Sequence, residues 1–177
     1  MMQNSFSKFL ATLGPIGYLP APGTWASCAT LIVVYFLHLL NISHVVYAVL
    51  IVLFTIVAWY AVVHTLDFFR TWGPHRQMGQ NWGPRFFCNK NWGLNHDPSE
   101  IVVDEAVGCM VTFFMIPITM RVLIIGFILF RLFDIAKPCG LKRLEKMGGA
   151  WGILLDDIGA GLLSNVMLNL LLFFSVI

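Results

Sequence analysis

Five apolar stretches, separated by short polar segments, dominate the hydrophobic pattern of the chain. They occupy roughly residues 25–40, 45–66, 101–118, 122–136 and 153–177. A helix perpendicular to a bilayer needs about 20 residues to cross the hydrocarbon, and only the second and fifth stretches reach that length comfortably. The pattern predicts an all-α protein, a compact polytopic membrane helical bundle of four or five apolar helices. A short pair of these helices can lie partly within the protein's own interior.

Composition agrees with a membrane protein and excludes several other classes. Of the 177 residues, 58% are hydrophobic and 11% are charged, and the mean hydropathy is +0.79. Soluble domains have about 25% charged residues, so one membrane-embedded domain over residues 1–177 is expected, with the bilayer as its partner. A net charge of +2 is too small to indicate nucleic acid. The sequence does not specify an oligomeric state.

The N-terminal segment and the cysteines bear on processing and on metal or disulfide sites. Residues 1–14 lack an apolar core followed by a small-residue cleavage site, so the first apolar stretch is expected to stay in the mature protein. The four cysteines are scattered, with no CxxC or Cys/His spacing. Neither a disulfide framework nor a zinc site is therefore indicated.

Basic residues are distributed unevenly between the apolar stretches. Lys8 precedes the first stretch, four Lys or Arg residues lie in 70–90, and four lie in 137–146. The intervening turns, 41–44 and 119–121, contain none and one. With five spans every basic cluster falls on one side, which the positive-inside rule makes cytoplasmic. The N-terminus is then expected inside and the C-terminus outside.

A tryptophan-glycine repeat fills the loop between the second and third stretches, roughly residues 71–95. Trp72-Gly73-Pro74, Trp82-Gly83-Pro84 and Trp92-Gly93 recur every ten residues. Gly and Pro disfavour a continuous helix, and Trp favours the membrane–water boundary. The repeat predicts an interfacial loop anchored by tryptophans, with an element that binds lipid headgroups or a partner as the alternative.

Seven of the nine acidic residues fall in three short segments, residues 96–105, 131–138 and 156–161. The first segment opens the third apolar stretch, the second closes the fourth, and the third opens the fifth. In the expected topology all three therefore lie at the same membrane face. Ionisable groups at bilayer depth cost about 2.5–3.5 kcal/mol each, and they mark functional sites by default.

The acidic residues in these segments suggest a cation site. Asp97, Glu100 and Asp104 are spaced as one face of a helix, although Asp97 equally suits a helix N-cap and Glu100 suits a solvated first turn. The pair of Asp104 with Glu105 and the pair Asp156-Asp157 are harder to explain as surface. Clustered carboxylates without cysteine suit a hard cation such as Mg²⁺.

Two basic residues in the same segments suggest phosphate chemistry. A carboxylate-bound Mg²⁺ can bridge a phosphate, orient an attacking water and neutralise charge on the leaving oxygen. Arg131 offers a bidentate fork and Lys137 a point charge for the same phosphate. The alternative is that both neutralise Asp134 and other acids within the protein.

The three segments resemble the phosphatidylglycerophosphatase A family of bacterial membrane enzymes, as does a short motif before the first stretch. The matching motifs are Asp97-x-x-x-Ile101-Val102-x-Asp104-Glu105-x-x-Gly108, Phe130-Arg131-x-x-Asp134-x-x-Lys137-Pro138, Asp156-Asp157-x-x-Ala160-Gly161 and Pro22-Gly23-Thr24. Their order and spacing make the resemblance specific. The Trp-Gly region looks longer than the family's usual connection at this point, and it leaves the acidic motifs whole.

The resemblance implies a Mg²⁺-dependent enzyme of the bacterial inner membrane, multi-pass, with its active site facing the cytoplasm. Its reaction would convert phosphatidylglycerophosphate to phosphatidylglycerol and phosphate. By carry-over, the candidate metal ligands are Asp97, Asp104, Glu105, Asp156 and Asp157, and the candidate catalytic acids are Asp104, Glu105, Asp134, Asp156 and Asp157. The candidate phosphate-binding residues are Arg131, Lys137 and Thr24, with a helix N-cap as the alternative role of Thr24.

Two other functions remain as alternatives. A CDP-alcohol phosphotransferase also uses aspartates at the membrane edge, but that family's Asp-Gly, Ala-Arg and Gly-x-x-x-Asp pattern is absent. A membrane cation transporter or channel component would need carboxylates along a transmembrane path. Arg131 and Lys137 beside the acids argue against a cation route.

Overall fold

A computed structural model describes residues 2–72, 101–138, 140–145 and 147–174 of the chain. Asp97, Glu100 and nearly all of the Trp-Gly region lie outside these residues, so their predicted roles are not tested. The elements in the described part are the helices α1 (Met2–Ala11), α2 (Pro22–Leu39), α3 (His44–Trp72), α4 (Val103–Thr112), α5 (Met120–Ala136), α6 (Leu141–Glu145) and α7 (Gly149–Phe173), with a short 3-10 helix at Ile16–Tyr18. No strand occurs among the described residues, and the predicted all-α fold is confirmed.

Within the described ranges, three helices are long and apolar enough to cross a membrane, judged by length and composition. They span Pro22–Leu39, His44–Leu66 and Gly149–Phe173. Large apolar side chains point outward along them, including Ile32, Leu53 and Leu162, each more than half exposed. An outer surface of this kind is suited to lipid, because soluble monomers rarely expose large contiguous apolar patches.

The third and fourth apolar stretches form the shorter pair of helices. Helix α4 has only 10 residues, which is about 15 Å and half the thickness of the hydrocarbon. Most of its side chains are buried, and its main packing partner is α7. The third stretch therefore contributes a half-length helix enclosed by the bundle, and α5 follows with 17 residues.

Polar side chains from two other helices satisfy the backbone where α4 ends. Tyr47 on α3 donates its hydroxyl to the Met110 carbonyl at 2.9 Å. The Asn165 side-chain amide on α7 donates to the carbonyls of Thr112 at 3.0 Å and Phe114 at 2.8 Å. Lipid cannot satisfy a free carbonyl, so a helix that ends at membrane depth needs partners within the protein.

Removal of the Asn165 amide is expected to destabilise the bundle. In Asn165→Leu the carbonyls of Thr112 and Phe114 lose their donor, at a cost of about 1–3 kcal/mol in unfolding free energy. Tyr47→Phe should have a smaller effect in the same direction, whereas Tyr35→Phe, at a partly exposed tyrosine on α2, should have none. Denaturant unfolding in detergent measures all three, and an Asn165→Leu variant as stable as the wild type would contradict this role.

Two glycines, Gly108 and Gly161, allow the backbones of α4 and α7 to touch. A Cβ built on Gly161 would lie 2.3 Å from the Gly108 carbonyl oxygen, and one built on Gly108 would lie 2.5 Å from the Asp157 carbonyl oxygen. Gly161 therefore serves the packing of α7 against α4. Because Gly108 follows Glu105 by one turn, this contact also sets the distance between the acids of the two helices.

The helices alternate in direction, so that the acidic segments share one end of the bundle. The starts of α2 and α4 meet where Gly23 lies against Glu105, close to Arg131 near the end of α5. At the opposite end, residues from the end of α2, the start of α3 and segment 113–118 line one small cavity. The site described next occupies the first of these two ends.

Candidate active site

The first acidic pair lies where α4 begins. Asp104 and Glu105 are in the first turn of the helix, near the positive end of its dipole. Because α4 begins only at Val103, the expectation that Asp97, Glu100 and Asp104 share one face of a helix was wrong. Asp104 is 3% exposed. The start of the helix is tied to α1, because the Val102 amide donates to the Ala11 carbonyl at 3.0 Å. The pair is therefore held inside the protein rather than on a solvated edge.

The second acidic pair lies further along its helix than the sequence predicted. Helix α7 begins at Gly149, preceded by Gly148, and both residues have a positive φ that suits glycine. Asp156 and Asp157 thus lie about 10 Å into the helix, and the expectation that their segment opens it was wrong. Both are buried. An apolar helix can hold these two acids at this depth because their side chains face other protein groups rather than lipid.

The carboxyls from the three acidic segments converge. Asp157 on α7 is within electrostatic reach of Asp104 and Glu105 on α4, of Asp134 on α5 and of its own neighbour Asp156. These five residues are the predicted catalytic acids. Their assembly from three distant parts of the chain is the main geometric fact about the site.

The two predicted phosphate-binding cations lie among these acids and pair with them. Arg131 Nη1 is 2.8 Å from Asp134 Oδ2 and 3.7 Å from Glu105 Oε1. Lys137 Nζ is 2.5 Å from Asp156 Oδ2. Both cations therefore serve the internal neutralisation that was the alternative reading. A phosphate bound here would share them with the carboxylates, and their phosphate role stays a prediction.

The start of α2 also reaches the site. The helix begins at Pro22, whose fixed φ suits the first helical position, and its N-cap is Ala21. Thr24 is consequently inside the first turn, and its alternative role as an N-cap was wrong. Its predicted contact with phosphate stays a prediction. Gly23, beside it, packs directly on Glu105.

Glu105 lies in an unusual electrostatic environment. Burial raises the pKa of its carboxyl to about 7, and the nearby Arg131 guanidinium opposes that rise. The residue lies on α4, which is too short to span a membrane. Its Oε2 atom is buried without a hydrogen-bond partner among the described residues. A carboxylate oxygen of this kind is the type of ligand that a hard cation binds.

The described residues fit Mg²⁺ by donor type, without forming a complete ligand set. No group of three or more His, Cys, Asp or Glu side chains within the described ranges is arranged to hold a metal ion, and the predicted ligand Asp97 lies outside them. Mg²⁺ usually keeps several waters and binds through one or two carboxylates plus substrate phosphate oxygens. The buried acids and Glu105 Oε2 meet that smaller requirement.

Comparison with known proteins supports the resemblance. The family model described as Phosphatidylglycerophosphatase A matches residues 88–172, which include all five predicted catalytic acids. A Haemophilus influenzae protein named phosphatidylglycerophosphatase A is 29% identical over 180 residues, covering 94% of each chain. The Escherichia coli protein of that name is 35% identical over 71 residues, covering 39% of this chain and 41% of that protein.

A further relative has a different name. A Bacteroides thetaiotaomicron protein, provisionally named a phosphatidylinositol-3-phosphatase, is 40% identical over 75 residues. The match covers 41% of this chain and 47% of that protein, or about half of the relative's length. No solved structure is significantly similar to the chain.

The helical membrane fold, the cluster of acids and cations, and these relatives define the class of protein as a membrane lipid phosphatase. Within that class, the chain is similar to the phosphatidylglycerophosphatase A family. This similarity confirms the resemblance seen in the motifs and disfavours both a CDP-alcohol phosphotransferase and a cation transporter.

Proposed function

We propose that the protein hydrolyses the terminal phosphate monoester of phosphatidylglycerophosphate and releases phosphatidylglycerol and phosphate. The observation that carries the proposal is the convergence of five buried or half-buried carboxyls with Arg131 and Lys137 at one end of a membrane bundle. Uncatalysed hydrolysis of phosphate monoesters is among the slowest of reactions, so a site for it must concentrate charge in this way. The names of two relatives agree with this substrate.

We further propose that Mg²⁺ is the cofactor, with its carboxylate ligands drawn from Asp97, Asp104, Glu105, Asp156 and Asp157. When bound, the ion would supply charge neutralisation at the phosphate and lower the pKa of a water molecule. The support is the all-carboxylate donor set and the unpartnered Glu105 Oε2.

The chain's own residues would bind the phosphate and handle its protons. The guanidinium of Arg131 lies between two carboxylates and the ammonium of Lys137 pairs with one, so the incoming phosphate replaces part of each ion pair with contacts to its own oxygens. A buried carboxylate accepts a proton from the attacking water as the water oxygen bonds to phosphorus. The phosphorus–oxygen bond to the glycerol breaks, and the leaving oxygen takes up the proton that the carboxyl received from the water.

We place the site at the cytoplasmic face of the bacterial inner membrane. The end of the bundle that holds the acids also holds Lys137, and the exposed Lys142 and Arg143 follow it in the chain. Under the positive-inside rule that end faces the cytoplasm.

The direct test of this function is phosphate release by the purified protein in vesicles that contain phosphatidylglycerophosphate. Release is expected with Mg²⁺, loss of release with a chelator, and recovery on adding Mg²⁺ back. A parallel assay with phosphatidylinositol-3-phosphate is needed because of the Bacteroides relative. Preference for that lipid would change the assigned substrate, and no turnover of either lipid combined with ion flux across the vesicles would overturn the phosphatase.

A further inference from the structure

The first turn of α2 leaves no space for a side chain at Gly23. A Cβ built there would lie 1.8 Å from Glu105 Oε1 and 2.5 Å from Glu105 Cδ, and 3.1 Å from Arg131 Nη1. The backbone of Gly23 itself does not have a positive φ, so its conformation does not require glycine. The residue is glycine because the Glu105 carboxylate occupies the space.

Hydrogen bonds hold the backbone at Gly23 in place, so it limits the space available to the Glu105 carboxylate. The Ser27 hydroxyl, which is fully buried, donates to the Gly23 carbonyl at 2.9 Å. Cys109 on α4 donates in turn to the Ser27 carbonyl at 3.7 Å. These contacts join the first two turns of α2 to the helix that carries Glu105.

The α2 backbone at Gly23 restricts the positions that the Glu105 carboxylate can take. One oxygen, Oε1, lies between Gly23 and Arg131 Nη1. The other, Oε2, is buried and has no hydrogen-bond partner in the described part of the chain. A side chain on α2 at this point would push the carboxylate away from Arg131 and change the direction of both oxygens.

We propose that Gly23 is a positioning residue for the lipid phosphatase reaction, acting through Glu105. By admitting the α2 backbone against the carboxylate, it holds Glu105 Oε1 beside Arg131 and leaves Oε2 for a ligand. The inference rests on the proposed function of the site. It concerns a residue that makes no contact with the reacting atoms and that none of the predicted catalytic or binding roles includes.

The test is Gly23→Ala in two backgrounds. Beside the native Glu105, we expect kcat to fall about 10- to 100-fold, since displacement of a site group by about 1 Å has effects of that size. KM should change little. In Glu105→Asp the carboxylate retracts by about one carbon–carbon bond, or roughly 1.5 Å, which makes room for the new methyl. There Gly23→Ala should change kcat by less than about twofold, a coupling that only contacting residues show.

A second readout separates the contact from the chemistry. Alanine forms helices better than glycine, so Gly23→Ala should raise the melting temperature in the Glu105→Asp background and lower it beside Glu105. Gly159→Ala is the matched control, because its Cβ would meet the end of the flexible Leu141 side chain. The control should keep its kcat.

The outcomes distinguish the two proposals. An active wild type whose Gly23→Ala variant keeps full kcat, or loses the same factor in both backgrounds, would overturn the positioning role alone. A folded wild type that releases no phosphate from any lipid would overturn the proposed function, even where the melting temperatures still show the coupling. Loss of kcat that is confined to the Glu105 background supports both.

Discussion

The Asp156→Asn variant is expected to lose turnover by about 10²–10³-fold or more, the usual cost of removing one preorganised charged or polar group from a reaction site. Asp156 accepts a hydrogen bond from the ammonium of Lys137 and lies beside Asp157. Its carboxylate therefore both pairs with Lys137 and belongs to the acid cluster. The substitution keeps the shape of the side chain and removes its charge. Steady-state phosphate release from lipid vesicles measures the effect.

Folding of the Asp156→Asn protein should be intact, because loss of a charge makes insertion into a membrane easier. Equal yield in the membrane fraction would establish that. Wild-type turnover by this variant would remove Asp156 from the site. A protein that fails to accumulate in the membrane would instead indicate that its ion pair with Lys137 is mainly structural.

Lys137→Ala should produce the second large effect, a fall in kcat/KM of about 10²-fold, since the buried Asp156 carboxylate loses its charged partner and is left uncompensated. Lys137 ends α5 with a left-handed backbone, φ 45°, and its side chain reaches Asp156 on α7. Without the ammonium, a phosphate would face the acids with less positive charge to offset them. KM should rise for the lipid phosphate, as ground-state binding is weakened.

Two companion variants make the Lys137 result interpretable. Lys142→Ala removes an exposed lysine from the same end of the bundle and should leave kcat/KM unchanged. Lys137→Arg keeps the charge and should retain more activity than Lys137→Ala. Should Lys137→Ala lower only the amount of folded protein, with normal kinetics in what remains, the internal-neutralisation reading would be correct.

The convergence of the acids was predictable because each acidic segment lies at the boundary of an apolar stretch. Boundaries on the same side of a membrane are close in space in a small bundle, and the basic residues indicated which boundaries share a side. Asp157 is accordingly within reach of Asp104 and Asp134. The prediction needed only the order of the segments along the chain.

The exact limits of the helices were less predictable, since hydropathy records how apolar a residue is and not what it packs against. The fifth stretch was expected to begin at about residue 153, but α7 begins at Gly149, where two glycines turn the chain. The third stretch is apolar to residue 118, but its helix ends at Thr112. That early end depends on Tyr47 and Asn165, which are distant in sequence.

The contact between Gly23 and Glu105 also depends on tertiary packing. In the sequence, Pro22-Gly23-Thr24 is one of the motifs that carry the resemblance, and Thr24 is its only residue with a predicted role. The structure shows that the space at Gly23 is filled by a carboxylate from a helix that is about 80 residues away in the chain. Spacing along a sequence carries no signal for such an approach.

The central claim is that carboxylates from distant parts of the chain work as one site on a lipid phosphate. Its most direct test is the single-turnover rate of phosphate release for Asp104→Asn, Asp156→Asn and the double variant. Residues that act as a unit show strongly non-additive effects, so the double variant should be no slower than the slower single variant. If each substitution lowers the rate by its own independent factor, or if neither lowers it, the shared site does not exist.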